Sequence, residues 1–277
     1  MGEATALTAT KRKTSRASQA WALEFWHYRE LFYFLVWRDV KIRYKQTLLG
    51  ALWAIIQPFF TMLVFTLFFG TLAKIPTEGI PYQLFSYCAL VPWTYFATTL
   101  SFAGNSLVSN QELITKVYFP RVAVPASAVL SGLVDFAISS LVLIGMMIWF
   151  RVPPSWELIL WPFLAIPLVI LALGVALFLS SLNVKYRDVK YVLPFVTQFW
   201  LFLTPIIYPT SLIPERFQFL MYLNPMAGII DAFRDSFLPT RHVNWTALGI
   251  SFGISLIVLV LGSLYFKRTE REFADIV

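Results

Sequence analysis

A chain of 277 residues with 58% hydrophobic, 17% aromatic and only 13% charged residues and a mean hydropathy of +0.69 lies far from the soluble average of about 25% charged, and reads as an integral membrane protein. The net charge of +7 does not point to nucleic acid, because the basic residues collect between apolar stretches rather than on one soluble face. With Cys88 the only cysteine and His27 and His242 the only histidines, neither a disulfide framework nor a Cys/His metal cluster can be built from one copy.

Residues 1–20 are small, polar and basic and bury almost nothing, which predicts a disordered cytoplasmic tail. KRK at 11–13 is followed by no short apolar run with a small-residue cleavage site, so the sequence shows no cleaved signal peptide. From Trp21 aromatics begin, and residues 21–48 read as an amphipathic interface helix. Phe34, Trp37, Val40, Tyr44 and Leu48 fall at steps of three and four on one stripe, with Arg38, Lys41 and Lys45 on another face. The alternation of Val40, Ile42 and Tyr44 with Lys41, Arg43 and Lys45 also fits a strand, but a lone strand has no partner here. The segment then turns into apolar sequence without a formal charge from Leu48 to Lys74, enough to cross a hydrocarbon core about 30 Å thick.

Six charge-poor stretches, at 49–73, 84–108, 123–149, 157–181, 191–208 and 246–266, predict six transmembrane helices within a domain spanning 49–268. An even number puts both termini on one side. Seventeen of the 22 Lys and Arg residues lie on that side, against Lys74, Arg151, Arg216, Arg234 and Arg241 opposite, so the termini, including 269–277, are expected in the cytoplasm. The fifth stretch is short and holds Pro194 and Pro205, which predicts a kinked or broken span. The outer connection at 209–243 predicts two short amphipathic helices, either a re-entrant hairpin or a pair lying at the interface. Asn224-Pro225 starts the second, with Met226, Ile229, Ile230, Phe233 and Phe237 on one face and Asp231, Arg234 and Asp235 grouped apart.

No G-x-x-x-x-G-K-[ST] occurs, so the chain has no P-loop, and it has neither a serine elbow nor a carboxylate pair in a plausible cleft. Asp135 is the one acid well inside a span. Its neighbours Ser131, Gly132, Ser139 and Ser140 suggest a close helix contact, while a place on a polar pathway stays open. Gln57, Asn105 and Gln198 are likewise polar within spans, as glue between helices or as lining of a hydrated passage. The aromatics in or near spans, among them Trp53, Phe59, Phe199 and Tyr208, serve as interface belts or offer stacking faces to sugar rings. In the short loops, NQELITKVYFPR at 110–121 reads as a brief helix with Leu113, Val117 and Tyr118 apolar, and NVKYRDVK at 183–190 as a charged elbow; each is a solvated turn or a docking surface.

Taken together, WRDVKIRYKQTLLGALWAIIQPF at 37–59, NVKYRDV at 183–189, TPIIYP at 204–209 and LNPMAGIIDAFRDSF at 223–237 resemble the membrane subunit of ABC-2 type exporters, in the branch that moves O antigen, capsule or teichoic acid. The resemblance implies an all-α permease that is not itself an enzyme, has no cofactor of its own, forms a homodimer in the cytoplasmic (inner) membrane and works with two copies of an ATPase subunit that binds ATP and Mg. It also implies a lipid-linked glycan as cargo and no nucleic-acid partner. Trp53, Gln57, Phe59, Gln198, Phe199 and Tyr208 would line the pathway, while Arg38, Lys41, Arg43 and Lys45 either meet an anionic headgroup or pyrophosphate or serve simply as positive-inside anchors. Glu112, Leu113, Val117, Tyr118, Arg187 and Asp188 would dock the ATPase. Three alternatives share parts of the pattern: an exporter of drugs or lipids, a proton-coupled carrier using Asp135, and a membrane glycosyltransferase, for which the sequence lacks an acidic metal- or sugar-binding loop.

Overall fold

Proline, glycine and charged residues punctuate the apolar stretches, and the chain between them is helical. The computed structural model describes residues 28–45, 50–77, 79–116, 119–237 and 242–270, and among these no strand occurs. The tail, residues 21–27 and 46–49, the docking candidates Val117 and Tyr118, and residues 271–277 lie outside the described residues.

Helix α1 covers Arg29–Tyr44. The chain re-enters at Gly50 with φ +47°, a left-handed conformation that glycine adopts without steric cost, and a single 3-10 turn, Gly50–Leu52, leads into α2, Trp53–Phe65. This helix continues as a π-helical segment over Thr66–Leu72. Pro58 lies inside α2 and cannot donate to the carbonyl four residues back. That carbonyl, on Ala54, instead accepts the Ser139 hydroxyl at 2.8 Å, the kind of rescue by a neighbouring helix that makes proline tolerable in a span.

The remaining helices are α3 (Tyr82–Ser109), α4 (Gln111–Lys116), α5 (Ala123–Trp149), α6 (Trp161–Lys185), α7 (Val189–Leu203), α8 (Glu215–Tyr222), α9 (Pro225–Phe237) and α10 (Trp245–Thr269). A 3-10 segment, Trp156–Leu160, runs into α6. Among the described residues, four stretches are long and apolar enough to cross a membrane: Gly50–Leu72, Ala123–Trp149, Trp156–Lys185 and Trp245–Thr269. Helices occupy all six stretches marked from sequence, but α3 is diluted by hydroxyls and amides, and α7, at 15 residues, is short. As Pro205 predicts, α7 stops at Leu203.

Helix α3 is the hub, packed against α5 and α6, while α6 also packs along α10 and α9 rests on α3, α6 and α10. The main core gathers Phe136, stacked on Trp161 at 5.0 Å, with Phe233 5.7 Å from Phe136. A smaller cluster of Leu35, Leu107, Phe119, Val124, Leu177 and Phe266 ties α1 to the ends of α3, α5, α6 and α10.

On α1, Phe34 and Trp37 are 66% and 48% exposed, while Leu35 is buried. The inward side of α1 holds Leu35, Asp39 and Arg43, and the two charged residues find partners on α5. One expectation is corrected: α9 is not amphipathic in its setting. Every one of its residues is buried, Asp231, Arg234 and Asp235 included, so its polar stripe faces other protein. Its start follows the sequence: Asn224 accepts the Met226 N–H through its side chain at 3.1 Å.

Helices α6 and α10 touch backbone to backbone. A Cβ on Gly262 would lie 2.1 Å from the Gly174 carbonyl oxygen, so Gly262→Val must push the helices apart. The expected cost is about 1–3 kcal/mol, read as a lower melting temperature of the detergent-purified protein. Gly249→Ala on the same helix, where a Cβ meets nothing within 4 Å, should leave it unchanged; equal melting of both variants would remove the close crossing as a source of stability.

Candidate functional site

Along one side of α3 the hydroxyl residues Thr94, Thr98 and Ser101 recur at steps of four and three, so a single helical face carries them. Helix α2 turns Gln57 and Thr61, also four apart, toward that face, and α7 brings Thr197 and Gln198. Together they line a furrow of about 480 Å³ between the three helices, with Trp93 and Phe65 among its walls. Through Gln57, Thr94 and Thr98 the furrow continues into a second cavity of about 280 Å³ bounded by Arg43, Tyr44, Trp53 and Asp135.

Thr61, Thr98 and Thr197 donate to carbonyls one turn back, at 2.9, 2.7 and 3.0 Å, which leaves their oxygens available to accept. The side-chain amides of Gln57 and Gln198 are exposed and make no hydrogen bond among the described residues. The furrow is thus neutral, rich in acceptors, and carries two free amides that both donate and accept.

At its α1 end the cavity is closed by charge. Arg43 forms an ion pair with Asp135, and the Tyr44 hydroxyl donates to the other Asp135 oxygen. The guanidinium also lies 4.3 Å from the centre of the Phe102 ring. Burial and the bond to Asp135 push the Tyr44 phenol above its ordinary range, so it remains a proton donor to the carboxylate. The two charges cancel, leaving the cavity without net charge.

A second polar knot sits where α7 breaks. Arg234, fully buried, donates to the carbonyls of Pro205 at 2.8 Å and Ile206 at 3.4 Å and to Asp231 at 3.2 Å. Its guanidinium lies 3.9 Å from the centre of the Phe85 ring. The Thr210 hydroxyl donates to Asp231, and Tyr82 donates to the Ile207 carbonyl at 2.9 Å. The backbone groups freed by the broken helix are therefore satisfied by side chains. Nearby, buried Glu157 accepts the Val243 N–H at 3.0 Å and faces His242 at 3.0 Å, fastening the start of α6 to the approach of α10.

Of the pathway candidates, Gln57 and Gln198 meet across the furrow and Trp53 lines the adjoining cavity. Phe59 and Phe199 point outward from α2 and α7 instead, and Tyr208 is half-buried beyond the end of α7. Asn105 belongs with the glue: its side-chain oxygen accepts from Asn183 at 3.0 Å, joining α3 to α6. Among the basic candidates, Arg38 pairs with Asp39 at 2.8 Å, whose second oxygen accepts from Ser127 at 2.7 Å. Lys41 lies over Trp37 at 5.5 Å, Lys45 is exposed, and only Arg43 turns inward. Glu112 pairs with Lys116 at the surface at 3.1 Å, Leu113 packs against the smaller cluster, and Arg187 and Asp188 are exposed in the turn before α7. Thr61, Thr94, Thr98, Ser101 and Thr197 escaped the sequence reading, although the steps of four and three between Thr94, Thr98 and Ser101 were an available signal.

Residues 30–238, well over half of the chain, match the family described as ABC-2 type transporter. The O-antigen export system permease protein RfbA of Myxococcus xanthus is 28% identical over 255 residues, covering 91% of this chain and 97% of its own length. A protein of the same description from Klebsiella pneumoniae is 28% identical over 242 residues, covering 87% and 92%. The polysialic acid transport protein KpsM of Escherichia coli is 24% identical over 242 residues, covering 85% and 91%.

Proposed function

The chain belongs to the ABC-2 type transporter family, and from that premise we propose that it is the permease subunit of an ATP-driven exporter that carries a lipid-linked polysaccharide across the inner membrane. The observation that carries this reading is the furrow. A sugar presents many hydroxyls and apolar C–H faces; a neutral channel of hydroxyls and free amides, edged by exposed aromatics, matches both without holding the polymer by charge. A pocket for a lipid or an apolar drug has no use for that run of hydroxyls and amides.

In this reading α3 and α7 complete six spans, α8 and α9 form the re-entrant hairpin at the outer side, and both termini are cytoplasmic. Two copies face each other across their furrows, where α2 and α7 expose Phe59, Phe60, Phe195 and Phe199. A separate ATPase subunit, also in two copies, supplies ATP and Mg chemistry that this chain does not. Its docking surface is the α4 loop at 110–121 together with Arg187 and Asp188.

The test is to fill the furrow without touching its neighbours. Ala97 lines it from α3 and is only partly buried, so Ala97→Trp should stop delivery of polymer to the outer surface. Membrane insertion and co-purification with the ATPase subunit should persist. Export at the parental rate through a tryptophan-filled furrow would move the pathway elsewhere, and failure to co-purify with any ATPase would count against the subunit arrangement instead.

A further inference from the structure

The furrow is not the only recess in the molecule. On the α6–α10 flank, where Gly174 and Gly262 bring the two backbones into contact, the absence of side chains leaves an apolar groove of about 500 Å³. Its walls include Phe178 and Tyr265, whose rings are 4.9 Å apart, together with Val258, Leu261 and Leu264. At one end it is closed by Arg268. That arginine is exposed and has no ion pair or hydrogen bond among the described residues, and the Tyr265 hydroxyl beside it makes no hydrogen bond among them either.

The position of Arg268 gives the groove a polarity. Trp245 starts α10 and Arg268 lies in its last turn, roughly 35 Å away along the helix axis, about the distance from one headgroup layer to the other. Phe266 belongs to the cluster that seats α1, so Arg268 lies at the basic, α1 end of the bundle. A groove running along a membrane-spanning helix and ending in an unpartnered cation at headgroup depth fits one amphiphile: an acyl chain along the glycine floor and a phosphate against the guanidinium.

We propose that the α6–α10 groove is a binding site for an anionic glycerophospholipid, with an acyl chain against Gly174 and Gly262 and the phosphate on Arg268 and the Tyr265 hydroxyl. The site is formed by helices other than α2 and α7, so it stands apart from the export furrow and does not depend on what the furrow carries. A basic pocket between membrane helices selects charged headgroups, and apolar burial of the chain supplies affinity without selectivity.

The full chain, reconstituted in phosphatidylcholine bilayers with a small share of phosphatidylglycerol bearing a diazirine in its acyl chain, tests this directly. Irradiation should label peptides containing Phe178 and Tyr265. Arg268→Gln should lower that labelling about fivefold, the effect of about 1 kcal/mol for one basic residue near an anionic headgroup. Leu264→Trp, which fills the groove from its exposed rim, should lower it as well without touching the glycine contact. Lys190→Gln, at the start of α7, should leave it unchanged. Equal labelling by phosphatidylcholine carrying the same diazirine, or equal loss in Lys190→Gln, would overturn the proposal in favour of unselective lipid contact.

Discussion

Arg234→Ala is expected to destabilise the protein by about 3–5 kcal/mol, the range for removing one partner of a buried ion pair. The side chain is fully buried and satisfies two backbone carbonyls and one carboxylate at once. Its removal takes the guanidinium away from Asp231, which also accepts from Thr210, and leaves the Pro205 and Ile206 carbonyls without that donor where α7 has ended. Arg234→Lys keeps the charge but not the planar fork that reaches carboxylate and carbonyls together, so an intermediate loss is expected. Arg234→Met combined with Asp231→Asn removes both charges of the pair and should recover part of the loss relative to Arg234→Met alone; the carbonyls, at about 1–3 kcal/mol for each unsatisfied buried group, set the remainder. Unfolding of the detergent-solubilised protein, followed by tryptophan fluorescence, measures all four variants. An Arg234→Ala protein that melts with the parent would mean that the broken end of α7 is held by other contacts and that this knot is incidental.

The same residues show what sequence can and cannot disclose about such a chain. Helix positions were legible because charges are excluded from lipid for a length set by the bilayer, and the break in α7 because proline removes a donor. The start of α9 was legible because an Asn-Pro pair both caps and initiates a helix. Which way a face points was not. In a soluble protein Phe34 and Trp37 would turn inward and Asp39 and Arg43 outward; against lipid the preference reverses, and only the partners on α5 decide it. Helix α9 misled for a related reason: its moment is real, but both faces are buried, since Arg234 and Asp231 find their complement in a turn 21–29 residues away. The furrow was half legible. Gln57 and Gln198 stand out in apolar sequence, whereas threonines are tolerated anywhere in a span by bonding their own helix, so the spacing of Thr94 and Thr98 marks one helical face but not that α2 and α7 lie against it.

Asp135 separates the exporter from the proton-coupled carrier, and its pairing with Arg43 makes the two distinguishable by a double-mutant cycle. The ion pair, with side chains 12% and 22% exposed, fastens the end of α1 to the middle of α5 just above the cavity that opens into the furrow. Asp135→Asn leaves the arginine without its counter-charge, and Arg43→Gln leaves the acid without its own. Each single variant is expected to lose on the order of 1.5–3 kcal/mol, the value of a hydrogen bond to a charged group, and to lower export as α1 loosens. Tyr44→Phe, which removes the phenol bond to Asp135, should cost about 1 kcal/mol. The double variant Arg43→Gln, Asp135→Asn can form an amide–amide hydrogen bond in the same place and carries no stranded charge, so it should recover most of the stability and much of the export of either single variant. A proton relay cannot be restored this way, because asparagine takes up no proton at any pH at which the membrane survives. Export in the double variant at or below the level of Asp135→Asn alone, with the fold recovered, would therefore favour the carrier; recovery of both places Asp135 in the joint between α1 and the bundle, and leaves the driving force to the ATPase subunit.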